Sequence, residues 1–139
     1  MVQLAREAHQ AHWRMSGHEG TGDRLAKRVT DQWQAAVRAM NSSRYDVEVR
    51  VTPNLRERID VVDRTAEVAY ELKVSPNNAH FEFYRDIFKV IIARDSGLQV
   101  QRFVFLTPSA AANKLLANMG GAVVRDAKRF GLIIEVVGL

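Results

Sequence analysis

The spacing of apolar residues changes period along the chain, and each change marks an element. Val2 to Met15 reads as a short helix, interrupted by Ser16-Gly17-His18-Glu19-Gly20-Thr21-Gly22 with its three glycines. Leu25, Val29, Trp33, Ala36 and Met40 then recur every three or four residues, which predicts a helix over 22–40 that stops at Asn41-Ser42-Ser43. Tyr45, Val47, Val49 and Val51 alternate with Asp46, Glu48 and Arg50, the pattern of a half-buried strand ending at Pro53. Arg58 to Asp63 and Val68 to Val74 read as two more strands, joined by Arg64-Thr65-Ala66-Glu67 in an antiparallel hairpin.

Helical spacing returns after Ser75-Pro76-Asn77-Asn78, where Phe81, Tyr84, Phe88, Ile91 and Ile92 predict a helix ending near Gly97. Gln101 to Leu106 is a short, nearly all-apolar strand, Pro108 to about Arg129 is mostly helix with a break expected at Gly120-Gly121, and Leu132 to Val137 is a final strand. Two such apolar strands imply burial on both faces, as in parallel strands joined by crossover helices. The expected fold class is therefore α/β: a mixed sheet with an antiparallel meander at one side and helices on both faces. The order is helix, three strands, helix, strand, helix, strand. No repeat or linker divides the chain, so residues 1–21 form an N-terminal helix with a glycine-rich loop and residues 22–139 a single domain.

The hairpin carries the candidate chemistry. A turn centred on Thr65-Ala66 pairs residues whose numbers sum to 131, which sets Asp63 against Val68 and Asp60 against Glu71. Like charges directly opposite on a sheet destabilise it by up to about 1 kcal/mol unless something positive sits between them. Lys73 points to the side of Glu71 by the period of two, while Val68, Tyr70, Leu72 and Val74 make the other face apolar. Two carboxylates at cross-strand distance suit a hard cation such as Mg²⁺, which lowers the pKa of bound water and neutralises phosphate charge. An adjacent amine orients or deprotonates the attacking water and stabilises the transition state. That combination is metal-assisted phosphodiester hydrolysis.

Arg58-Ile59-Asp60-Val61-Val62, ten intervening residues after Asp60, then Glu71-Leu72-Lys73-Val74-Ser75 resembles the signature of the PD-(D/E)XK nuclease superfamily, with Ile59 where a proline often stands. The order of elements resembles that superfamily's restriction-endonuclease-like three-layer core over most of the chain. The resemblance implies Asp60, Glu71 and the backbone carbonyl of Leu72 as metal ligands and Lys73 as the catalytic lysine. It further implies Mg²⁺, with Mn²⁺ as a substitute, and DNA cleavage to 5′-phosphate and 3′-hydroxyl ends in a restriction-endonuclease-like or junction-resolvase-like manner. The alternative is a nuclease fold that has lost catalysis and serves as a nucleic-acid-binding or interaction module. A domain of this size has little room for a separate DNA reader, which favours a homodimer or a domain of a larger nuclease.

Accessory candidates surround this set. Asp23 or Glu19, at the entrance of the second helix, are candidates for a further acid, although helix N-termini favour acids through capping alone. Glu48 competes from the neighbouring strand, and Asp63 belongs to the turn. His80 and Tyr84, one helical turn apart, fall where some branches of the family carry a Gln and a Tyr. His9 and His12 share a helical face without a third ligand in spacing, which argues against zinc, and Trp13 and Trp33 read as core or interface anchors.

Composition narrows the partners. The chain has 139 residues, 47% hydrophobic and 26% charged, the balance of one globular domain. Zero cysteines exclude disulfides, thiolate metal sites and cysteine nucleophiles. Apolar runs such as Phe103 to Leu106 are too short for a bilayer, and Arg6 and Glu7 precede any long apolar stretch, so neither a membrane protein nor a secretory signal is expected and the location expected is cytoplasmic. A net charge of +4, with 15 of the 20 cations Arg, fits a surface that meets phosphate. Arg44, Arg50, Arg56, Arg58 and Arg64 flank the candidate site and are the expected phosphate contacts; a solvated face would look the same.

Overall fold

The computed structural model describes residues 1–16 and 23–139, with side chains for 1–11 and 26–139. Two helices come first, α1 (Val2–Ser16) and α2 (Asp23–Met40), followed by a meander of β1 (Tyr45–Arg50), β2 (Arg58–Asp63) and β3 (Val68–Leu72). The chain then crosses through α3 (Ala79–Asp95) to β4 (Arg102–Thr107), and through α4 (Ser109–Leu116), α5 (Met119–Asp126) and a 3₁₀ turn (Ala127–Phe130) to β5 (Ile133–Gly138). Five strands form one open mixed sheet in the order β1-β2-β3-β4-β5. The first two pairings are antiparallel and the last two parallel, as a meander followed by two helical crossovers requires. Among the described residues no helix is long and apolar enough to cross a membrane.

Each face of the sheet has its own core. On one, Val29, Trp33 and Val37 of α2 and Ala5 and Ala8 of α1 pack against Val61, Val68, Leu72, Val104 and Leu106. On the other, Phe83, Ile87, Val90 and Ala93 of α3 and Leu115 of α4 pack against Ile59, Val62, Ala69, Phe103, Phe105 and Ile134. Trp33 is thus a core residue, fully buried.

Three expectations need correction. The stripe that α3 buries is Ala79, Phe83, Ile87, Val90 and Ala93, whereas Phe81, Phe88, Ile91 and Ile92 stand exposed. This helix is apolar around most of its circumference, so periodicity alone does not select the buried face. The break expected at Gly120-Gly121 falls just before them, at Ala117 and Asn118. Both glycines lie inside α5, where a Cβ on Gly121 would come within 2.1 Å of the Leu116 carbonyl oxygen. Third, β3 ends at Leu72 rather than Val74.

The hairpin turn is built by Asp63. Its Oδ1 accepts the N–H groups of Thr65 and Ala66, each at 3.0 Å, and its carboxylate takes both Nε and Nη2 of Arg44. That geometry fixes the register: Val61 pairs with Tyr70, Val62 with Ala69 and Asp63 with Val68, all summing to 131.

Candidate functional site

Continuing that register would set Asp60 opposite Glu71, but the ladder between β2 and β3 stops at Val61 and Tyr70. The strand is irregular there. Residues two apart in a regular strand share a face, yet Ile59 packs on the α3 side and Val61 on the α2 side. Across the sheet, the β1–β2 ladder skips the pair Glu48 and Asp60, and Glu48 takes a left-handed φ of 55°. A non-glycine residue in that region stores about 1–3 kcal/mol of strain, typical of sites where geometry serves something besides stability.

The irregularity frees the Asp60 carboxylate to act where a backbone carbonyl would otherwise serve. Asp60 Oδ2 accepts the Leu72 N–H at 2.9 Å, while the Asp60 carbonyl accepts a hydrogen bond from Gln34 Nε2 at 3.2 Å. The same Gln34 nitrogen donates to Glu48 Oε1 at 2.9 Å, so one buried α2 side chain ties both sides of the distortion. Asp60 and Glu71 line the same cavity, close enough for the Asp60 charge to bear on Glu71. Glu71, whose strand partner on β4 is Phe105, projects toward α3 and is 4% exposed.

Two residues of α3 complete the cluster. Lys89 Nζ lies 2.5 Å from Glu71 Oε1 and 2.8 Å from Asp86 Oδ1, and it donates to the Arg58 carbonyl at 2.8 Å. Lys73, one residue beyond β3, is anchored by its own N–H to the Leu106 carbonyl at 2.8 Å, and its Nζ is 3.8 Å from Glu82 Oε1. Asp60, Glu71, Leu72, Lys73, Asp86 and Lys89 line one cavity of about 210 Å³, closed on the α2 side by Lys27 and Thr30.

Burial dominates the electrostatics. It pushes the Asp60 carboxyl up to about 6, against the Leu72 hydrogen bond and the Lys89 charge. Burial, together with Asp60 and Asp86, holds Glu71 well above the ordinary carboxylate range, and Lys89 offsets this only in part. Burial also raises Asp86 in spite of Lys89. It opposes the charge on Lys89, yet Glu71 and Asp86 outweigh it and raise the Lys89 pKa, so this amine stays an ammonium. A half-buried Asp60 beside a buried Glu71, each with its charge opposed by desolvation, forms an arrangement a divalent cation would relieve.

Among the described residues no three His, Cys, Asp or Glu side chains converge as a ready-made metal cluster. Mg²⁺ needs only one or two carboxylates and keeps several of its waters. The hard oxygens of Asp60 and Glu71 fit that requirement.

The accessory candidates are placed as follows. Glu48 is not part of the cavity lining; it pairs with Gln34 and, at 3.8 Å, with Arg58. His80 and Tyr84 line a different hollow of about 550 Å³ beside α4, with Asn77, Lys114 and Asn118. Glu19, with the glycine-rich segment and His18, and the side chains of Asp23, His12 and Trp13 lie outside the described residues. None of the five flanking arginines lines the cavity, and most are paired within the chain: Arg44 with Asp63, Arg58 with Glu48, Arg64 with Asp46, and Arg50 with the Pro53 carbonyl. Arg56 is exposed. The cavity's own cations are Lys27, Lys73, Arg85 and Lys89.

Sequence reasoning missed Gln34, Asp86 and Lys89. The latter two left a readable signal, since they follow Phe83 at steps of three and so fall in the stripe that α3 buries. No family model, curated protein or solved structure matches the chain.

Proposed function

We propose that this chain is a Mg²⁺-dependent endonuclease of the PD-(D/E)XK type that hydrolyses DNA phosphodiester bonds. One observation carries the reading: the carboxyls of Asp60 and Glu71 share a small cavity with the amine-bearing Lys73. In this reading Asp60, Glu71 and the Leu72 carbonyl hold the ion, and Mn²⁺ can replace it. When bound, the ion supplies Lewis-acid neutralisation of the scissile phosphate and a more acidic water.

Three amines line the cavity, those of Lys27, Lys73 and Lys89, and in this reading Lys73 is the one that meets the attacking water. Lys89 is committed to two ion pairs and a hydrogen bond, whereas Lys73 among the described residues pairs with Glu82 alone, at 3.8 Å, and keeps 27% of its side chain exposed. From there Lys73 orients the water against phosphorus and stabilises charge developing on the phosphate oxygens. Lys27, now paired with Asp31, and Arg85, now paired with Glu82, line the cavity and in this reading would exchange those partners for flanking phosphates. The reading includes the restriction-endonuclease-like fold, a cytoplasmic location, and either a homodimer or a place within a larger nuclease.

One observation favours the second reading, a nuclease-fold module without catalysis: Lys89 already neutralises Glu71 as an internal ion pair. Nicking of supercoiled DNA in Mg²⁺ or Mn²⁺ separates the two. Cleavage lost in Asp60→Asn and in Lys73→Ala supports the nuclease. Equal activity in wild type and both variants overturns the assignment, and DNA retained in a shift assay without any cleavage favours the module.

A further inference from the structure

The buried network around Lys89 is built differently from an ordinary structural ion pair. Its ammonium is held from three places: it pairs with Glu71 on β3 at 2.5 Å and with Asp86 one turn back on its own helix at 2.8 Å, and it donates to the Arg58 carbonyl at the start of β2 at 2.8 Å. The side chains of Lys89, Glu71 and Asp86 are each 10% exposed or less. One cation therefore serves two buried acids, while a third acid, Asp60, lines the same cavity beside Glu71 and has no lysine of its own among these contacts.

The three positions differ in what they would lose. Asp86 and Lys89 belong to the same helix at i and i+3, so their contact needs no movement of the sheet. Glu71 is the member that also borders Asp60, in the place where a divalent cation would sit. A carboxylate buried without a counter-ion is strongly unfavourable, so Glu71 needs the ammonium of Lys89 beside it. Lysine suits a temporary counter-ion, because its ammonium is a compact charge on a flexible four-carbon stem rather than a planar fork locked in two bonds.

Resting on the metal-site reading above, we propose that Lys89 is the resident counter-cation of the carboxylate pair and that a divalent cation binds by exchange. The ion takes Glu71 from Lys89, and Lys89 falls back on Asp86 and the Arg58 carbonyl. The fold thereby keeps its buried acid neutralised when the metal is away, and the site carries a competitor that weakens cation affinity. Lys89 is a positioning residue in this scheme and touches no substrate.

Two measurements on the full chain test this. In the first, Ca²⁺ and Mn²⁺ are titrated calorimetrically into wild type, Lys89→Met and, as control, the surface variant Lys128→Met. Removing the competitor is expected to tighten binding by about tenfold or more, with the control unchanged. In the second, wild-type lysines are acylated at low reagent excess with and without Ca²⁺ and quantified by peptide mass spectrometry. Lys89 should label slowly alone and several-fold faster with Ca²⁺, since losing Glu71 and gaining a neighbouring cation both favour the neutral amine; Lys128 should not change. Cation binding with unaltered Lys89 labelling, or Lys89→Met binding equally or more weakly, overturns the exchange while leaving the metal site standing. No cation binding to either wild type or Lys89→Met overturns both. If Lys89→Met fails to fold, the wild-type labelling decides alone.

Discussion

Asp60 Oδ2 accepts the Leu72 N–H at 2.9 Å, so a side chain of β2 completes the hydrogen bonding of β3 beyond the point where the backbone ladder ends. This relationship makes the same carboxylate a structural acceptor and the candidate metal ligand.

The two roles separate by substitution. Asp60→Ala leaves the Leu72 N–H, on a residue only 8% exposed, without its acceptor and should cost about 1–3 kcal/mol. Asp60→Asn keeps an amide oxygen there and should cost much less. Both should abolish cleavage. Denaturant unfolding alongside the nicking assay checks this; similar stability losses for Asn and Ala would show that the bond carries no weight.

Burial raises the Asp60 pKa from 3.8 to about 6, and the sign of the pH effect follows. The folded protein holds this proton more tightly than the unfolded chain does, so the stabilisation is fully present below the unfolded value and disappears as pH rises through about 6. In metal-free protein, thermal scans should show that Asp60→Asn removes this loss, so that its small deficit relative to wild type narrows as pH rises through about 6. Cation affinity should run the opposite way, rising through the same range, because binding displaces the proton. A flat affinity profile would contradict the shared site.

Asp63 titrates with the reverse sign. Burial pushes its carboxyl up, but the bond from Arg44 and the Ala66 and Thr65 amides outweigh it and bring it below the ordinary value. Its contribution is present above the unfolded pKa and is lost as pH falls through the folded one. Asp63→Asn retains a turn acceptor but loses the charge-assisted pairing, and should destabilise by about 1–3 kcal/mol without changing cleavage by the protein that stays folded. Urea unfolding of the variant at neutral and acidic pH tests it: the difference from wild type should shrink in acid.

Gly121→Ala should be costly despite raising helix propensity. The added methyl would meet the Leu116 carbonyl oxygen at 2.1 Å, where backbone rather than a flexible side chain must shift. Overpacking of this kind costs about 1–3 kcal/mol. Gly97→Ala has open space instead and a φ of 100°, so any cost there is conformational. Thermal melts of the two variants check this; an unchanged melting temperature for Gly121→Ala would mean that the α4–α5 corner relaxes freely.

By itself the sequence determined the order of helices and strands and the hairpin register from the turn as far as Val61 and Tyr70. Alternation from Tyr45 to Arg50 and the Asp63 turn are local features, and local periodicity and turn chemistry act over a few residues. It also singled out Asp60, Glu71 and Lys73, because charges beside apolar strand positions stand out against the pattern. Only the tertiary structure decided which face of α3 is buried, since a helix with Phe81 and Phe88 on one side and Phe83 and Ile87 on another offers two stripes to choose from. Choosing the Phe83 side brought Asp86 and Lys89 against Glu71. The departure of Asp60 from the ladder, opposite a left-handed Glu48 and braced by Gln34 from a helix earlier in the chain, was likewise beyond reach of periodicity, because it depends on contacts between elements distant in sequence. Packing across both faces of the sheet, not pattern along the chain, turned a row of charges into a buried cluster.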